Sequence, residues 1–495
     1  MASSGPDNKS PAGDDSLLPV RPVRDVVTCG DGATIHDAAA LMSERNVGSI
    51  VVVDERRRPL GIVTDTDLRK KVVAGGVSAD DAVRTIMSRP VVTVPVRATA
   101  AGTISTMMRR GIRHLCITED GTPRSAVIGI ISEHDVVLLH GNNPASLARE
   151  IGHARDVEQL VAGRGKGNDL VEEYIGKGVG ARFVADMIAE VNDALTSRLI
   201  VLAQEKLSAG GLEAPPVRFT WLALGSDGRR EQLLQADQDT ALVYEDPPAE
   251  SAEACAVYFE RLAAEVTAGL VACGFDRCPG NTMADNPHWR QPLSVWKGYF
   301  RSWLRTPDGA ALLNVATAFD FRSVFGAEDL TAAMRACIDE ELASSRTGLI
   351  LLARNAVHNP PATGLWERLN VERQGSHKGH FDVKLRAMKP VTEAARVVAL
   401  DRGAHGLTGT LDRLERLAQD DSALGEITPA VVEAYELFMR YRVLYKEKGE
   451  GAGRFLDLAR MGKQDLKRLR SQLPAVTSLQ KLIQVRYQLD ALGLR

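Results

Sequence analysis

Long hydrophobic runs are missing from these 495 residues. The longest apolar stretches, such as Ile50 to Val53 and Leu349 to Leu352, fall far short of the roughly 20 residues that span a bilayer, so no membrane partner is expected. Paired cysteines are missing too. The six cysteines, at 29, 116, 255, 273, 278 and 337, show neither the CxxC spacing of zinc sites nor the density of a disulfide scaffold. Even the close pair Cys273 and Cys278 reads as small buried apolar residues in a reduced compartment. Nor is there an excess of one charge. Lys plus Arg number 61 against 64 Asp plus Glu, a net charge of -3, so no global field draws in nucleic acid or an anionic surface. The opening stretch Met1 to Leu17 has no apolar signal-peptide core and carries Asp7, Asp14 and Asp15. It reads as a disordered leader, and the cytosol as the expected location.

What remains is ordinary soluble composition, 44% hydrophobic and 25% charged, in a chain too long for one core, since single cores stop growing near roughly 250 to 300 residues. Several modules are expected, and an internal repeat marks the first two. Residues 23 to 68 read as strand, helix (Thr34 to Arg45), strand (Gly48 to Val53), turn, strand (Gly61 to Thr64) and helix. Residues 86 to 136 repeat that order, with a helix at Ala100 to Arg110 and strands at Arg113 to Thr118 and Val127 to Ser132. The repeats close on Gly61-Ile-Val-Thr64-Asp-Thr-Asp67 and Gly129-Ile-Ile-Ser132-Glu-His-Asp135, which align without a gap.

Both copies resemble CBS domains, which pair into a disc whose clefts bind adenosyl nucleotides. A strand-end hydroxyl followed three residues later by a carboxylate can hold phosphate and ribose together, with helix-start NH groups assisting. Thr64 with Asp67 and Ser132 with Asp135 are therefore the ligand candidates. The same pattern is also an ordinary helix N-cap, and the residues alone leave both readings open. The resemblance further implies a homodimer formed through the CBS repeats.

From Pro144 to Lys206 apolar residues, among them Met187, Ile188, Val191, Leu195 and Leu199, recur every three or four positions, which predicts a long amphipathic helix. Breakers at Gly210, Gly211, Pro215 and Pro216 end it. Next come an apolar strand, Phe219 to Gly225, a helix opening with Ser226-Asp-Gly-Arg229-Arg230-Glu231, and a strand starting Asp237-Gln-Asp239. Residues two apart on one strand share a face, so Asp237 and Asp239 are expected to converge on divalent cations. Gly225 lets backbone approach a phosphate, Ser226 offers a hydroxyl and NH, and Arg229 and Arg230 offer charge to a triphosphate. The plainer reading is that the Asp-x-Asp caps the strand and the arginines pair with Glu231 on a solvated face.

This ordered motif resembles the polymerase-beta nucleotidyltransferase superfamily, most closely the DUF294-type domain related to the N-terminal part of PII protein uridylyltransferases. The resemblance implies a third carboxylate from a later strand, carried over to Asp320 at the end of the apolar stretch Ala311 to Phe319. It implies Mg²⁺ (or Mn²⁺) at Asp237, Asp239 and Asp320, and an NTP giving its nucleotidyl group to a hydroxyl of a protein or small-molecule acceptor. An adenine nucleotide is the implied CBS effector.

Past Leu349 the pattern is helical and predicts a bundle of about five helices. The stretch Gly375 to Arg386, with His377, His380, Lys384 and Arg386, reads either as a polar face toward the cleft or as a solvated loop, and the basic run Lys463 to Arg470 as solvated surface. The expected class is an α/β and α+β multidomain protein, with a leader at 1–20, CBS repeats at 21–80 and 81–142, a helical linker at 143–210, the nucleotidyltransferase domain at 211–340 and the helical domain at 341–495. Trp296 and Trp303 read as core packing or an acceptor pocket. The second reading is a catalytically inactive nucleotide sensor that docks a partner in signal transduction. Nucleic acid ranks last as a partner, because no basic single-strand channel is apparent.

Overall fold

A computed structural model describes residues 26–45, 47–73, 75–96, 114–132, 144–176, 179–233, 237–305, 316–359, 369–404, 406–446 and 453–490, together with 98, 103, 106, 107, 110 and 112. The expected leader, most of the second repeat's first helix, Asp135 and the first part of the strand expected at Ala311 to Phe319 lie outside the described residues. The chain divides into two compact units, Met1–Asn143 and Pro144–Arg495. It is an α/β and α+β multidomain protein.

The first unit carries the repeat in its backbone. Strands β1 (Thr28–Gly30), β2 (Ser49–Val53) and β3 (Pro59–Thr64) form one sheet, with helix α1 (Ile35–Glu44) between the first two, and β4 (Thr93–Pro95), β5 (His114–Thr118) and β6 (Val127–Ser132) form the other. In each sheet the first strand runs parallel to the second and the third antiparallel to it, and both break register at the same step, Val52/Val53 and Ile117/Thr118. Alternation explains why β2 is buried throughout, since both of its faces are covered. Ile50 and Val52 pack with Ile35, Ala38 and Met42 in the first repeat's core, while Val51 and Val53 point the other way, onto Cys116 and Val127 of the second repeat. That second face joins the repeats.

The other unit opens with helices α2 (Pro144–Gly152), α3 (Val157–Gly176) and α4 (Ala181–Ala209). Val184, Met187, Ile188, Val191, Leu195 and Leu199 are all buried along α4, as its three-and-four spacing requires. A four-stranded sheet follows, in the order β11 (Arg290–Pro292), β9 (Thr240–Tyr244), β7 (Phe219–Ala223), β12 (Arg322–Gly326). Helices α4 and α5 (Ala252–Ala272) pack together, and α6 (Leu293–Arg305) lies against α7 (Glu328–Ser344). The helical region comprises α8 (Thr347–Val357), α9 (Lys389–Asp401), α10 (Thr410–Ala418), α11 (Ser422–Leu444) and α12 (Lys463–Arg486). Among the described residues no helix is long and apolar enough to cross a membrane.

Candidate functional site

The strand β7 delivers the chain to Gly225, which adopts φ +57 and starts a single helical turn, Gly225–Gly228. Only glycine tolerates that backbone without strain. Space demands glycine too: a Cβ at position 225 would lie 2.8 Å from Asp239 Oδ2. Gly228 is equally constrained, since a Cβ there would lie 2.1 Å from the backbone oxygen of Asp320. The Gly-Ser turn, Asp239 and the segment before β12 are therefore packed together as one edge of the sheet. The Ser226 residue is half-buried in that turn.

The single strand expected from Asp237 to Tyr244 is interrupted at Asp239. Asp237–Gln238 form β8, which pairs in parallel with β10 (Asp276–Arg277) in a separate small sheet, placing Asp237 opposite Asp276. The backbone at 239 and 240 is shared between neighbours: Leu224 N donates to Asp239 O at 2.9 Å, and Thr240 N donates to Thr282 O at 3.0 Å. Asp237 thus belongs to the small β8–β10 pair, while Asp239 lies between β8 and β9. The Cys278 thiol lies in the loop after β10 and donates to Asp239; burial, then this carboxylate, raises its pKa. Sequence reasoning treated Cys278 as filler, because nothing local links it to a residue 39 positions earlier.

Asp320 is placed differently from the expectation. It follows a 3-10 turn, Ala316–Phe319, rather than ending a strand. Its carboxylate is completely buried and both oxygens accept from guanidinium groups: Oδ2 from Arg229 Nη1 at 2.8 Å and Arg396 Nη2 at 2.6 Å, Oδ1 from Arg413 Nη1 at 2.7 Å. Burial alone would raise its pKa, yet the charges of Arg396, Arg413 and Arg229 hold it well below the carboxylate range. Both Asp320 oxygens are thus engaged by guanidinium groups in this structure, where the expectation had them facing a cation. Among the described residues no group of three or more His, Cys, Asp or Glu side chains is arranged to hold a metal ion.

The two arginines expected to meet a triphosphate are engaged as well. Arg229 also donates to Glu231 Oε2 at 2.9 Å, so the plainer reading named the right partner. The pair is buried rather than solvated, with side chains 11% and 9% exposed. Glu231 accepts in addition from Thr410 N and Tyr435 Oη, at 2.7 and 2.8 Å. Arg230, at φ +59, turns back to α4, where it meets Asp186, Glu190 and Asp193. Arg229 therefore ties the turn to Asp320, Arg230 ties it to α4, and both guanidinium groups are engaged by carboxylates.

In the first unit, Thr64 and Asp67 form a full capping box. Asp67 N donates to Thr64 Oγ1 at 3.3 Å, Thr64 N donates to Asp67 Oδ2 at 3.0 Å, and Thr64 Oγ1 donates to the same oxygen at 2.7 Å. Lys71 Nζ adds an ion pair at 2.8 Å. Burial raises the Asp67 pKa, but the hydrogen bonds from Lys71 and Thr64 more than offset this and leave it lowered. Ser132 ends β6 in the equivalent position. In the helical region, His377 stacks on Phe455 with centroids 3.9 Å apart, and Arg386 pairs with Glu372 at 3.1 Å.

Comparison with known proteins completes the picture. Family models match at residues 19–74 and 83–140 ("CBS domain"), 166–310 ("Putative nucleotidyltransferase DUF294") and 347–487 ("Putative nucleotidyltransferase substrate binding domain"). An uncharacterised protein of Methanopyrus kandleri is 35% identical over 129 residues, covering 26% of this chain and 64% of that one. One of Methanocaldococcus jannaschii is 32% identical over 127 residues, covering 23% of this chain and 29% of that one. The chain thus spans under two thirds of the length of these relatives. Among solved structures, a CBS-domain protein of Agrobacterium tumefaciens matches at 34% identity and TM-score 0.22, covering 23% of this chain and 90% of that one. A CBS protein of Pyrobaculum aerophilum, solved with AMP, matches at 25% identity and TM-score 0.22, covering 25% of this chain and 88% of that one. The chain therefore carries a CBS domain pair followed by the nucleotidyltransferase-type domain of the DUF294 family and the substrate-binding domain that accompanies it.

Proposed function

We propose that the protein is a metal-dependent nucleotidyltransferase, moving the nucleotidyl group of an NTP to a hydroxyl of a protein or small molecule, with the CBS pair setting its activity to adenine nucleotide levels. The observation that carries this reading is the contact between the Gly225 turn and Asp239: the space a side chain would fill at Gly225 is held by a carboxylate oxygen, 2.8 Å from the Cβ position. A phosphate cradle and a cation-binding carboxylate are useful together only if one ligand meets both.

Asp237 and Asp239 supply hard oxygen donors of the kind Mg²⁺ takes, and one or two carboxylates suffice when phosphates and waters complete its shell. Bound there, the cation would neutralise charge on the triphosphate and align it. The chain's own part is to present the Gly225–Ser226 turn to the phosphates and to bring Asp237 and Asp239 to the cation. The acceptor oxygen then bonds to the α-phosphorus as the bridge to the β-phosphate breaks, releasing pyrophosphate, with the hydroxyl proton passing to solvent. Thr64 with Asp67, and Ser132 with Asp135, are the proposed CBS contacts, and the CBS pair is the proposed dimer contact.

One observation favours a second reading, a catalytically inactive nucleotide sensor that docks a partner. Asp320, the residue the superfamily resemblance assigns to the metal, is held by three guanidinium groups instead. Transfer of label from α-³²P-NTPs separates the two: labelled acceptor supports the enzyme, and nucleotide binding without transfer supports the sensor.

A further inference from the structure

The aromatic stretch from His288 to Trp303 sorts into two sets. Trp289, Trp296 and Phe300 are buried, the last two completely, and belong to the core. His288, Tyr299 and Trp303 are exposed or half-exposed, and they form a ladder of their own. The His288 and Tyr299 rings stack with centroids 4.6 Å apart at 22°, and Tyr299 and Trp303 with centroids 5.6 Å apart, again at 22°. Tyr299 and Trp303 share a face of α6 because they are four residues apart. His288 is brought to the end of the ladder by a fixed loop. Asn286 caps its short turn, accepting from His288 N at 3.0 Å, and Arg290 Nη1 clasps the carbonyls of Ala284 and Asp285, each at 2.9 Å.

This ladder flanks the edge where Asp239 lies. β11 runs parallel to β9 with Arg290 opposite Leu242, so the turn that carries His288 enters β11 at the end of the sheet where β9 begins, next to Asp239. The same loop is bonded to that position, since Ala284 N donates to Thr240 Oγ1 at 3.1 Å. At the far end Trp303 packs on Phe319, centroids 6.2 Å apart. Two residues before Phe319 is Thr317, whose Cβ lies 3.8 Å from the Gly225 Cβ position. Partial desolvation beside its ring neighbours lowers the His288 pKa, which favours the neutral imidazole. Stacked π-faces with an exposed end suit a planar heterocycle more than an aliphatic or charged group.

We propose that His288, Tyr299 and Trp303 form the stacking platform for the nucleobase of the NTP whose phosphates meet the Gly225 turn and Asp239. The proposal rests on the nucleotidyltransferase reading and adds the group that holds the base. Every base has a π-face, so the platform holds any of the four, purines more tightly for their larger rings.

Calorimetric titration of the full chain with Mg²⁺ and the α,β-methylene analogues of GTP and UTP, and separately with Mg²⁺ and inorganic tripolyphosphate, tests it. The binding lost in Asp239→Asn reports this site. His288→Ala is expected to weaken the nucleotide analogues on the order of tenfold, the size of one lost base–ring stack. It should leave tripolyphosphate unchanged, and His288→Phe should restore the nucleotide affinity. Unaltered analogue binding in His288→Ala, equal weakening of tripolyphosphate, or no rescue by phenylalanine would overturn the platform while leaving the nucleotidyltransferase reading in place. Failure of the wild-type chain to bind either ligand in a way that depends on Asp239 would overturn both.

Discussion

Arg396, on α9, donates from Nη2 to Asp320 Oδ2 at 2.6 Å, and neither side chain is more than 5% exposed. The bond joins the helical region to the segment that enters β12, and Arg413 of α10 repeats it on the other oxygen. With Arg229 and Glu231 added, the junction holds three cations and two anions away from water. Removing one member of such a set leaves uncompensated buried charge, which costs far more than a surface pair. Asp320→Ala is therefore expected to destabilise the protein by about 3 to 5 kcal/mol. Urea unfolding followed by circular dichroism measures this, and a loss below about 1 kcal/mol, the range of exposed pairs, would contradict the buried-hub account.

The repeat was legible from sequence because its signals are local. The strand expected at 48 to 53 runs from Ser49 to Val53 and the helix expected at 34 to 45 from Ile35 to Glu44, since alternation and capping act within a few residues. The long helix ahead of the sheet was legible for the same reason. The site was legible only in part. That Gly225 and Asp239 meet follows from the order of strand, turn and strand, but the break at Asp239 depends on Thr282. Glu231 is close in sequence to Arg229, but the partners of Arg230 lie 37 to 44 residues away, and Arg229, Arg396 and Arg413 lie 76 to 93 residues from Asp320. No spacing rule reaches so far, and a cation beside a glycine-serine turn looks the same whether it awaits a phosphate or a carboxylate.

Asp227, inside the turn, gives a pH dependence. Burial first, with repulsion from Asp193, raises its pKa from 3.8 to about 6 against the lowering charges of Arg322, Arg230 and Arg164. A carboxyl whose folded pKa exceeds its unfolded value stabilises the fold when protonated. That contribution is complete below about pH 4 and is lost as pH rises through about 6. The stability of the wild type relative to Asp227→Asn should therefore fall as pH rises from 4 to 8. Denaturation curves of both proteins across that range check it; a difference that stays constant or grows in favour of the wild type would contradict the shift.

Thr64 caps the turn that follows β3 and is also one of the proposed CBS contacts. Thr64→Ala removes the hydroxyl that accepts from Asp67 N and is expected to cost about 1 kcal/mol locally, whereas Thr64→Ser keeps the bond. Hydrogen exchange over residues 61–68 should accelerate in the alanine variant and not in the serine variant. AMP affinity should follow the same order if the hydroxyl is a ligand, and equal affinity in all three proteins would confine Thr64 to capping.

The central claim is that the edge formed by the Gly225 turn, Asp237 and Asp239 transfers a nucleotidyl group. The direct measurement is transfer of label from each α-³²P-NTP, with Mg²⁺ or Mn²⁺, in lysate of the source cell, comparing the wild type with the Asp237→Ala/Asp239→Ala double variant. The account predicts metal-dependent label on a discrete acceptor that disappears in the double variant. Label that persists in the double variant, or no transfer from any NTP while adenine nucleotides still bind the CBS pair, would contradict it.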